Sequence, residues 1–396
     1  MGGDGEQATR LDRRIDRTLA VVFIAIALAV AALVVCALHA PAASAGPGTA
    51  PAPGVSASDV ATPAADPPPS YVLQPPSKGA YLGIFRPPAP FKPSAISQYK
   101  SLSGKPASLV MWFVPWVSAG KYVPFQAAQA RAVWSRGAMP IVVWEPWSPG
   151  STPHALKNPA NAPAWKLSNI ANGQYDAYIA QYARDVKAAG GPVGISLFHE
   201  MNGVWYPWGG GANGNTPADE VAAYRHVHDI FVQQGATNVT WIWSVNFQSR
   251  PTDYAHRWAA YYPGDQYVDW VAVSGFNWGQ GVGGGPWKSF EKIYRLPLRY
   301  LRTLHKPVMI SEVASVENGG NKPAWLTDAF RRIRCGHPEV KAVVYYDAIE
   351  HSHNRVQDWR MNSSKRSQKS YRKAVASRYF VGGAPAALTA WRNAGR

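Results

Sequence analysis

The chain has 396 residues, a length that predicts one large domain with appended segments. With 17 Trp, 19 Tyr and only 16% charged residues, its composition excludes a largely disordered protein. Lys and Arg outnumber Asp and Glu by 40 to 24, but residues 1–78 hold five basic and six acidic side chains, so the positive excess belongs to the rest of the chain.

The N-terminus carries a predicted membrane anchor. Residues 19–38 contain no charge and are about as long as a helix that crosses the hydrocarbon core of a bilayer. Four arginines lie within residues 1–18, and no basic residue follows the apolar segment until Lys78. The positive-inside rule therefore predicts a cytoplasmic N-terminus, a single transmembrane signal-anchor and an exported remainder in the cell membrane. Cleavage near Ala45, where small residues resemble a signal-peptidase site, would instead give a secreted protein.

Residues 39–78 are rich in Ala, Pro, Ser and Gly and have no period, which is typical of a disordered linker. The basic domain beyond it would attract anionic polymers. Nucleic acid is a common partner of such charge, but the predicted export argues against it, so an anionic cell-wall polymer is the candidate partner. The alternative is a solvated basic helix face. We expect a monomer. Six basic residues lie near the C-terminus, at Lys365, Arg366, Lys369, Arg372, Lys373 and Arg378.

From residue 79 to residue 380, short apolar segments alternate with helical patterns, and residues 381–396 remain as a C-terminal tail. Eight such segments with crossovers predict the α/β class and a (β/α)8 TIM barrel. An open, doubly wound sheet is the alternative, but no Gly-rich phosphate-binding turn follows any strand. The predicted strands are Ala80–Phe85, Ser108–Val114, Pro140–Trp144, Gly194–Phe198, Val239–Ser244, Val268–Ser274, Val308–Ser311 and Ala342–Tyr346.

The predicted helices lie between these strands. Tyr178, Ile179, Tyr182 and Val186 have the spacing of one buried helix face. Thr216 followed by a proline predicts the start of the helix that runs to about residue 234. The other predicted helices are Pro93–Lys100, Phe125–Arg136, Pro251–Tyr262, Trp287–Thr303, Pro323–Arg334 and Ser367–Phe380.

Functional groups of such a barrel collect where the strands end. Strand 4 ends in His199 and Glu200, which Trp205 and Trp208 follow, and strand 7 ends near Glu312. A glycosidase needs this combination, because an acid must protonate the leaving oxygen and flat apolar faces must pack against sugar. Strands 4 and 7 lie across the barrel mouth, so the two carboxyl groups are expected to face each other.

Further candidate substrate-binding residues follow other strands. Glu145 and Trp147 end the third strand, and Asn277 and Trp278 end the sixth. The glycine-rich segment Gly279–Gly285 is expected to form a lid or subsite loop. A zinc-protease motif would require His where the chain has Gly203, so we expect neither a metal nor a cofactor.

This pattern resembles glycoside hydrolase family 26, the β-mannanase family of retaining (β/α)8 glycosidases. The resemblance covers residues 79–380 and is most specific at His199–Gly203, with Trp205 and Trp208. Further similarity lies in residues 310–313, which resemble the nucleophile strand, in residues 268–278 and in residues 358–360.

The resemblance implies a role for each central residue. Glu200 is the acid/base and Glu312 the nucleophile, while His199 supports the acid/base by hydrogen bonding and Trp205 lies beside the sugar at the cleavage point. One position departs from the family, because Phe276 stands where the family usually has a Tyr whose hydroxyl contacts the nucleophile. The loss of one such donor costs about 1–3 kcal/mol, which weakens a catalyst without changing its mechanism.

The leading functional prediction is therefore an extracytoplasmic endo-β-glycosidase that acts by double displacement. Its substrate is a β-linked polysaccharide of the β-1,4-mannan type, or a related glucan, xylan or exopolysaccharide, as the resemblance implies. The alternative is a noncatalytic barrel of the cell envelope that binds polysaccharide. Retention of both glutamates favours the enzyme, and Phe276 favours the binding protein.

Overall fold

The computed structural model describes residues 71–149, 162–280, 286–352 and 355–395. Their central element is a closed barrel of eight parallel strands. The strands are short and almost entirely buried, as expected of parallel strands that are covered on both faces. They are β1 Ala80–Phe85, β2 Leu109–Pro115, β3 Met139–Glu145, β4 Val193–Leu197, β5 Val239–Asn246, β6 Trp270–Asn277, β7 Val308–Ser315 and β8 Val340–Tyr346.

Each strand pairs with the next in chain order, and β8 closes the barrel on β1. In this last pair Tyr81 lies opposite Ala342, and Phe85 lies opposite Tyr346. A short additional strand, Phe380–Val381, pairs with the beginning of β1. The closed parallel sheet confirms the predicted (β/α)8 barrel.

Helices surround the barrel, and most begin and end within a few residues of the predicted bounds. The predicted start of α4 is confirmed, because Thr216 and Asp219 form a capping box with a proline at the first turn. The helices are α1 Ser94–Ser103, α2 Ala127–Trp134, α3 Asp176–Ala189, α4 Pro217–Gln233, α5 Phe290–Arg302, α6 Lys322–Gly336, α7 Lys365–Val375 and α8 Ala386–Asn393, with a shorter helix at Leu167–Ala171.

The fifth crossover differs from the prediction. An α-helix was expected over residues 251–262, but the chain between β5 and β6 forms three 3-10 helices, Tyr254–His256, Trp258–Tyr261 and Asp265–Tyr267. The first two turns are separated at Arg257, whose backbone is extended (φ -65°, ψ 153°), so the helical hydrogen-bond ladder does not continue across it. Its aromatic residues still pack inward, and the indole of Trp243 donates to the carbonyl of Tyr261 at 3.0 Å.

Both ends of the described chain pack against the barrel. Leu73 is 1% exposed; its N–H donates to Oγ1 of Thr240 (2.7 Å), and its carbonyl accepts from the indole of Trp270 (2.7 Å). The packed chain therefore begins before the predicted boundary at residue 79. At the other end, the predicted tail contains α8, whose Trp391 packs against Trp134 with ring centroids 5.0 Å apart.

The predicted cytoplasmic segment, membrane anchor and most of the linker lie outside the described residues. Within the described part of the chain, no helix has the length and apolarity needed to cross a membrane.

Apolar side chains form two layers. One fills the inside of the barrel, and the other lies between the strands and the surrounding helices. The carboxyl ends of all eight strands consequently open on one face, where polar side chains can collect above the inner layer.

Candidate active site

The first part of the site is the sharp turn that follows β4. Phe198 and Glu200 both have left-handed backbone conformations, with φ of 52° and 55°. Side chains other than glycine rarely adopt this region, and such residues concentrate at functional sites. The N–H of Glu200 donates to the carbonyl of Ser244 on β5 at 2.8 Å, which fixes the turn to the neighbouring strand. The turn holds the Glu200 carboxyl group at the barrel mouth.

Three side chains donate hydrogen bonds to the Glu200 carboxyl group. The indole of Trp205 donates to Oε2 at 2.7 Å, the amide of Asn246 donates to Oε1 at 2.8 Å, and the hydroxyl of Ser274 also donates to Oε1. Burial raises the pKa of Glu200, and these three donors oppose that effect.

Gly203 explains how Trp205 reaches the carboxyl group. A Cβ atom at residue 203 would lie 2.5 Å from the Trp205 indole ring, so only glycine leaves room for this ring position. Asn202 fixes the same loop to β5, because its side-chain oxygen accepts from the N–H of Asn246 at 2.7 Å. The motif that begins at His199 therefore builds a rigid loop around one carboxyl group.

Glu312 reaches the same mouth through an irregularity in β7. Between β6 and β7 the register passes from Val273 opposite Ile310 to Ser274 opposite Glu312, so two residues of β7 oppose one residue of β6. Such a β-bulge redirects the following side chain. The Ser311 hydroxyl lies 2.9 Å from the hydroxyl of Ser244 on β5, inside the barrel.

The Glu312 carboxyl group has no matching donors. It accepts no hydrogen bond from any of the residues that the structure describes, even though it is buried, with only 6% of the residue exposed. Burial, followed by the charges of Glu200, Glu350 and Glu145, raises the pKa of Glu312 well above its usual range. The hydrogen bonds therefore favour the ionised form of Glu200. At Glu312, no hydrogen bond from a described residue offsets the effect of burial on the pKa.

Glu145 and His199 form a second buried polar group beside this pair. Nδ1 of His199 lies 3.9 Å from Oε1 of Glu145 and has no hydrogen-bond partner. Burial lowers the pKa of His199 to about 3 and raises the pKa of Glu145 to about 8. The Trp147 indole donates to the Glu145 carboxyl group at 3.1 Å, and this hydrogen bond opposes the shift of Glu145. At neutral pH His199 is uncharged, and Glu145 is largely protonated.

Two residues that were predicted to contact substrate are completely buried. Trp208 is 0% exposed and donates to the carbonyl of His199 at 2.9 Å, so it supports the loop instead of offering a face to sugar. Asn277 is also completely buried, and its amide donates to the Ser315 hydroxyl at 2.8 Å. His199 makes no hydrogen bond to Glu200, contrary to the implied supporting role. The residue is 2% exposed, and its Nδ1 is buried without a hydrogen-bond partner.

The other predicted aromatic contacts lie where a ligand can reach them. Trp147, Trp205 and Trp278 are each partly exposed, and Trp278 packs edge-on against Trp359 with centroids 4.9 Å apart. The predicted lid at Gly279–Gly285 lies outside the described residues from Gly281 onward.

Three residues that were not predicted to contact substrate also lie at the site. Tyr206 stacks on Trp208 with centroids 4.4 Å apart, and its hydroxyl lies within reach of the charges of the mouth carboxylates. Tyr346 ends β8 beside Phe276, with centroids 5.2 Å apart. Glu350 lies in a hairpin of Ile349–Ser352 and Arg355–Asp358 that follows β8. No alternation of apolar and polar residues after Tyr346 signals this hairpin in the sequence.

Arg86 and Asp347 are tied to each other instead of facing the mouth. They form an ion pair between the ends of β1 and β8, and the Asp347 carboxylate also accepts from the N–H of Met361 at 2.7 Å. Both residues therefore hold the loop after β8 in place.

The arrangement can perform acid and base chemistry on a bound sugar. Glu200 and Glu312 share one mouth, with partly exposed aromatic rings around them. A double displacement requires one protonated and one ionised carboxyl group. Burial raises the pKa of both groups, and the hydrogen bonds around Glu200 oppose this effect on that residue alone.

Comparison with known proteins identifies the family to which this architecture is related. Residues 129–306 match the model of glycosyl hydrolase family 26. Endoglucanase H of Acetivibrio thermocellus is 36% identical over 290 residues, which is 72% of this chain and 29% of that protein. Beta-1,3-xylanase TXYA of a Vibrio species is 32% identical over 112 residues, 28% of this chain and 22% of the relative. The chain thus spans less than a third of the length of these relatives.

Solved structures share the fold at low sequence identity. The mannanase BCman of Bacillus subtilis has a TM-score of 0.56 at 16% identity, covering 78% of this chain and 88% of that one. The catalytic domain of a Bacillus sp. JAMB-750 endo-β-1,4-mannanase also has a TM-score of 0.56 at 16% identity, covering 77% and 87%.

Proposed function

The chain belongs to glycosyl hydrolase family 26, and from this we propose that its barrel hydrolyses a β-linked polysaccharide at internal bonds by a retaining double displacement. The observation that carries the proposal is the meeting of Glu200 and Glu312 at one mouth, connected by Ser274. Its hydroxyl donates to Glu200, and its strand register pairs it with Glu312.

In the proposed first step, Glu200 protonates the glycosidic oxygen while a Glu312 oxygen attacks the anomeric carbon. The bond to the leaving sugar breaks, and an ester between the remaining sugar and Glu312 forms. In the second step Glu200 removes a proton from water, whose oxygen attacks the anomeric carbon and releases Glu312. Trp205 positions the Glu200 carboxyl group through its 2.7 Å hydrogen bond.

The surroundings of Glu312 support a second candidate, a barrel that binds polysaccharide without cleaving it. A nucleophile must be ionised, and the absence of donors from the described residues works against ionisation of Glu312. Phe276, which stands where the family usually has Tyr, gives a reason for this absence. We favour the enzyme, because both carboxyl groups are retained. Turnover requires that Glu312 be ionised while Glu200 keeps its proton.

The substrate class follows from the relatives, whose names include an endoglucanase, a β-1,3-xylanase and a mannan endo-1,4-β-mannosidase of Caldalkalibacillus mannanilyticus. We propose a β-linked glucan first, since the endoglucanase matches over 290 residues and the mannosidase over 86. A mannan, a xylan or a bacterial exopolysaccharide is the alternative.

A substrate panel tests the proposal. Full-length protein is incubated with mixed-linkage glucan, mannan, 1,3-xylan and an acidic exopolysaccharide, and new reducing ends are counted. A Glu200→Gln/Glu312→Gln double variant serves as the control. New reducing ends from the wild type alone support hydrolysis, whereas binding without new ends in any condition supports the second candidate.

We further propose that the barrel acts outside the cell and is tethered by residues 19–38, because that segment is uncharged and four arginines precede it. Digestion of intact cells with protease tests this location. Accessible barrel in the membrane fraction supports a tether, a free form that begins near residue 46 supports secretion, and a protected barrel contradicts export.

A further inference from the structure

Helix α7 presents a continuous basic face to solvent. Five residues, defined here as the α7 basic face, are all exposed: Lys365, Arg366, Lys369, Arg372 and Lys373. The opposite face of the helix, with Ser367, Tyr371 and Val375, is buried against the barrel. The spacing of the basic residues therefore places their charges along one side of a helix about 16 Å long.

One carboxylate lies beside the first turn of α7: Glu317 accepts from the Ser367 hydroxyl at 2.7 Å, and the buried Lys322 balances its charge. No Asp or Glu occurs between residue 359 and residue 396, or in the neighbouring helix α1. None of the five side chains forms an ion pair with a described residue, and the Arg372 guanidinium instead donates to the carbonyl of Ser101 on α1 at 3.0 Å. Lys100, exposed in the last turn of α1, extends the positive surface.

The arrangement opposes the stability of the helix itself. Lys365, Lys369 and Lys373 are like charges four residues apart, and such pairs repel. Lys365 and Arg366 also occupy the first turn, where the helix dipole favours acidic residues. A bound anion relieves both effects.

A shallow cleft with both polar and apolar lining borders this face. It measures about 420 Å³ between α6 and α7, and the amide of Asn321 and the hydroxyls of Thr327 and Ser370 line it. One carboxylate, Asp328, also lines it, but two arginines of α6 neutralise it at 2.6 Å. Hydroxyl and amide groups beside a row of cations suit a ligand that carries both hydroxyls and acidic groups.

We propose that the α7 basic face, with its adjoining cleft, is a docking surface for an anionic polysaccharide, separate from the carboxylates of the barrel mouth. A lipid surface fits less well, because a helix that lies on a membrane exposes apolar residues toward the acyl chains, and the apolar residues of α7 face the barrel. The α7 basic face is thus the proposed binding site of the anionic polymer that the sequence predicts as a partner. The inference does not depend on hydrolysis at the mouth.

Binding of polygalacturonate to the full-length protein in an uncharged detergent tests the proposal, with fully methyl-esterified polygalacturonate as the neutral counterpart. The variant Lys365→Gln/Lys369→Gln/Lys373→Gln removes three charges from the face. We expect its dissociation constant for polygalacturonate to rise about tenfold or more, since three charged contacts with the polymer are lost. Its unfolding midpoint should stay equal or rise, because repulsion is removed.

The matched control removes three charges from a comparable exposed row on α5, in the variant Lys292→Gln/Arg295→Gln/Arg299→Gln. It should change the dissociation constant by less than about twofold. An equal loss in both variants, or no binding of polygalacturonate by the wild type at low ionic strength, overturns the docking surface. Tighter binding of phosphatidylglycerol vesicles or of a single-stranded oligonucleotide at equal charge concentration overturns the assigned ligand class.

Discussion

Glu200 and Glu312 are connected through one residue, Ser274, which donates to the first and is the register partner of the second. The two carboxyl groups nevertheless have different surroundings. Glu200 accepts three hydrogen bonds, and Glu312 accepts none from the described residues. This difference determines what each substitution at the mouth should do.

The roles of the two glutamates are separable by chemical rescue. Glu312→Ala should lose about three orders of magnitude or more in turnover, because no glycosyl-enzyme ester can form. Glu200→Ala should slow cleavage most for poor leaving groups, which need a proton, and far less for an activated aryl glycoside. With azide, Glu200→Ala should yield the β-azide and Glu312→Ala the α-azide, measured by NMR of the products. Identical products from both variants would refute the assignment.

Trp205→Phe should shift the pH dependence of turnover. The substitution removes the 2.7 Å donor that favours the ionised form of Glu200, so the pKa of Glu200 rises and its proton is held to higher pH. The basic limb of the kcat profile should therefore move to higher pH. Trp147→Phe is the matched control, because the Trp147 indole donates to Glu145, and its basic limb should stay in place. A shift of the same size in the control would contradict the role of Trp205.

Phe276→Tyr should improve the nucleophile. A hydroxyl that donates to Glu312 stabilises the ionised form, lowers the pKa and moves the acidic limb of kcat/KM to lower pH. One donor contributes about 1–3 kcal/mol, so turnover below the optimum should rise by about tenfold. Phe276→Leu controls for the loss of ring packing against Tyr346 and Trp359. An acidic limb that does not move would show that the new hydroxyl fails to reach Glu312.

The segment before β1 should contribute measurably to stability. Both residues 71–396 and residues 79–396 should fold, but the shorter chain loses buried Leu73 and leaves the Trp270 indole without its acceptor. These losses amount to about 2–5 kcal/mol, which urea unfolding monitored by circular dichroism resolves. Leu73→Ala in the longer chain should lose part of this free energy, whereas Gln74→Ala, at an exposed position, should lose none. Equal midpoints for the two lengths would show that residues 71–78 contribute nothing.

Glu220 should make the protein less stable as pH rises. It is 0% exposed, neither carboxyl oxygen has a partner, and burial raises its pKa well above its usual range. The unfolded chain ionises near the ordinary pKa, while the folded chain keeps its proton, so stability falls from about pH 4.5 upward. The free energy of unfolding of Glu220→Gln, relative to the wild type, should therefore be higher at pH 8 than at pH 4 by on the order of 1–3 kcal/mol. Asp185→Asn is the control, because this side chain is partly exposed and forms no ion pair with a described residue. If the difference in free energy of unfolding between Glu220→Gln and the wild type does not change with pH, Glu220 ionises with its ordinary pKa.

Much of this architecture could be predicted because strands and helices carry local signals. All eight barrel strands were found, since each is a short apolar run between turn residues, and Glu200 was placed at the end of β4 by the same pattern. The helix predicted in the fifth crossover did not form, because the backbone becomes extended at Arg257 and divides the segment into separate 3-10 turns. The position of Glu350 depends on a hairpin after β8, and the burial of Trp208 depends on contacts with His199 and Tyr206 that no local pattern encodes.

The sequence by itself determined which strands form and which carboxyl groups stand at their ends. Only the tertiary structure decided that Glu312 faces the mouth. Strand alternation from Met309 through Ser311 would direct Glu312 toward the helices, but two residues of β7 oppose Ser274 and reverse the alternation. The Tyr294 hydroxyl of α5 lies 2.6 Å from the carbonyl of Gly275 and 2.9 Å from that of Glu312, beside this disrupted ladder. A register of this kind depends on partners distant in the chain, which is why alternation within one strand could not predict it.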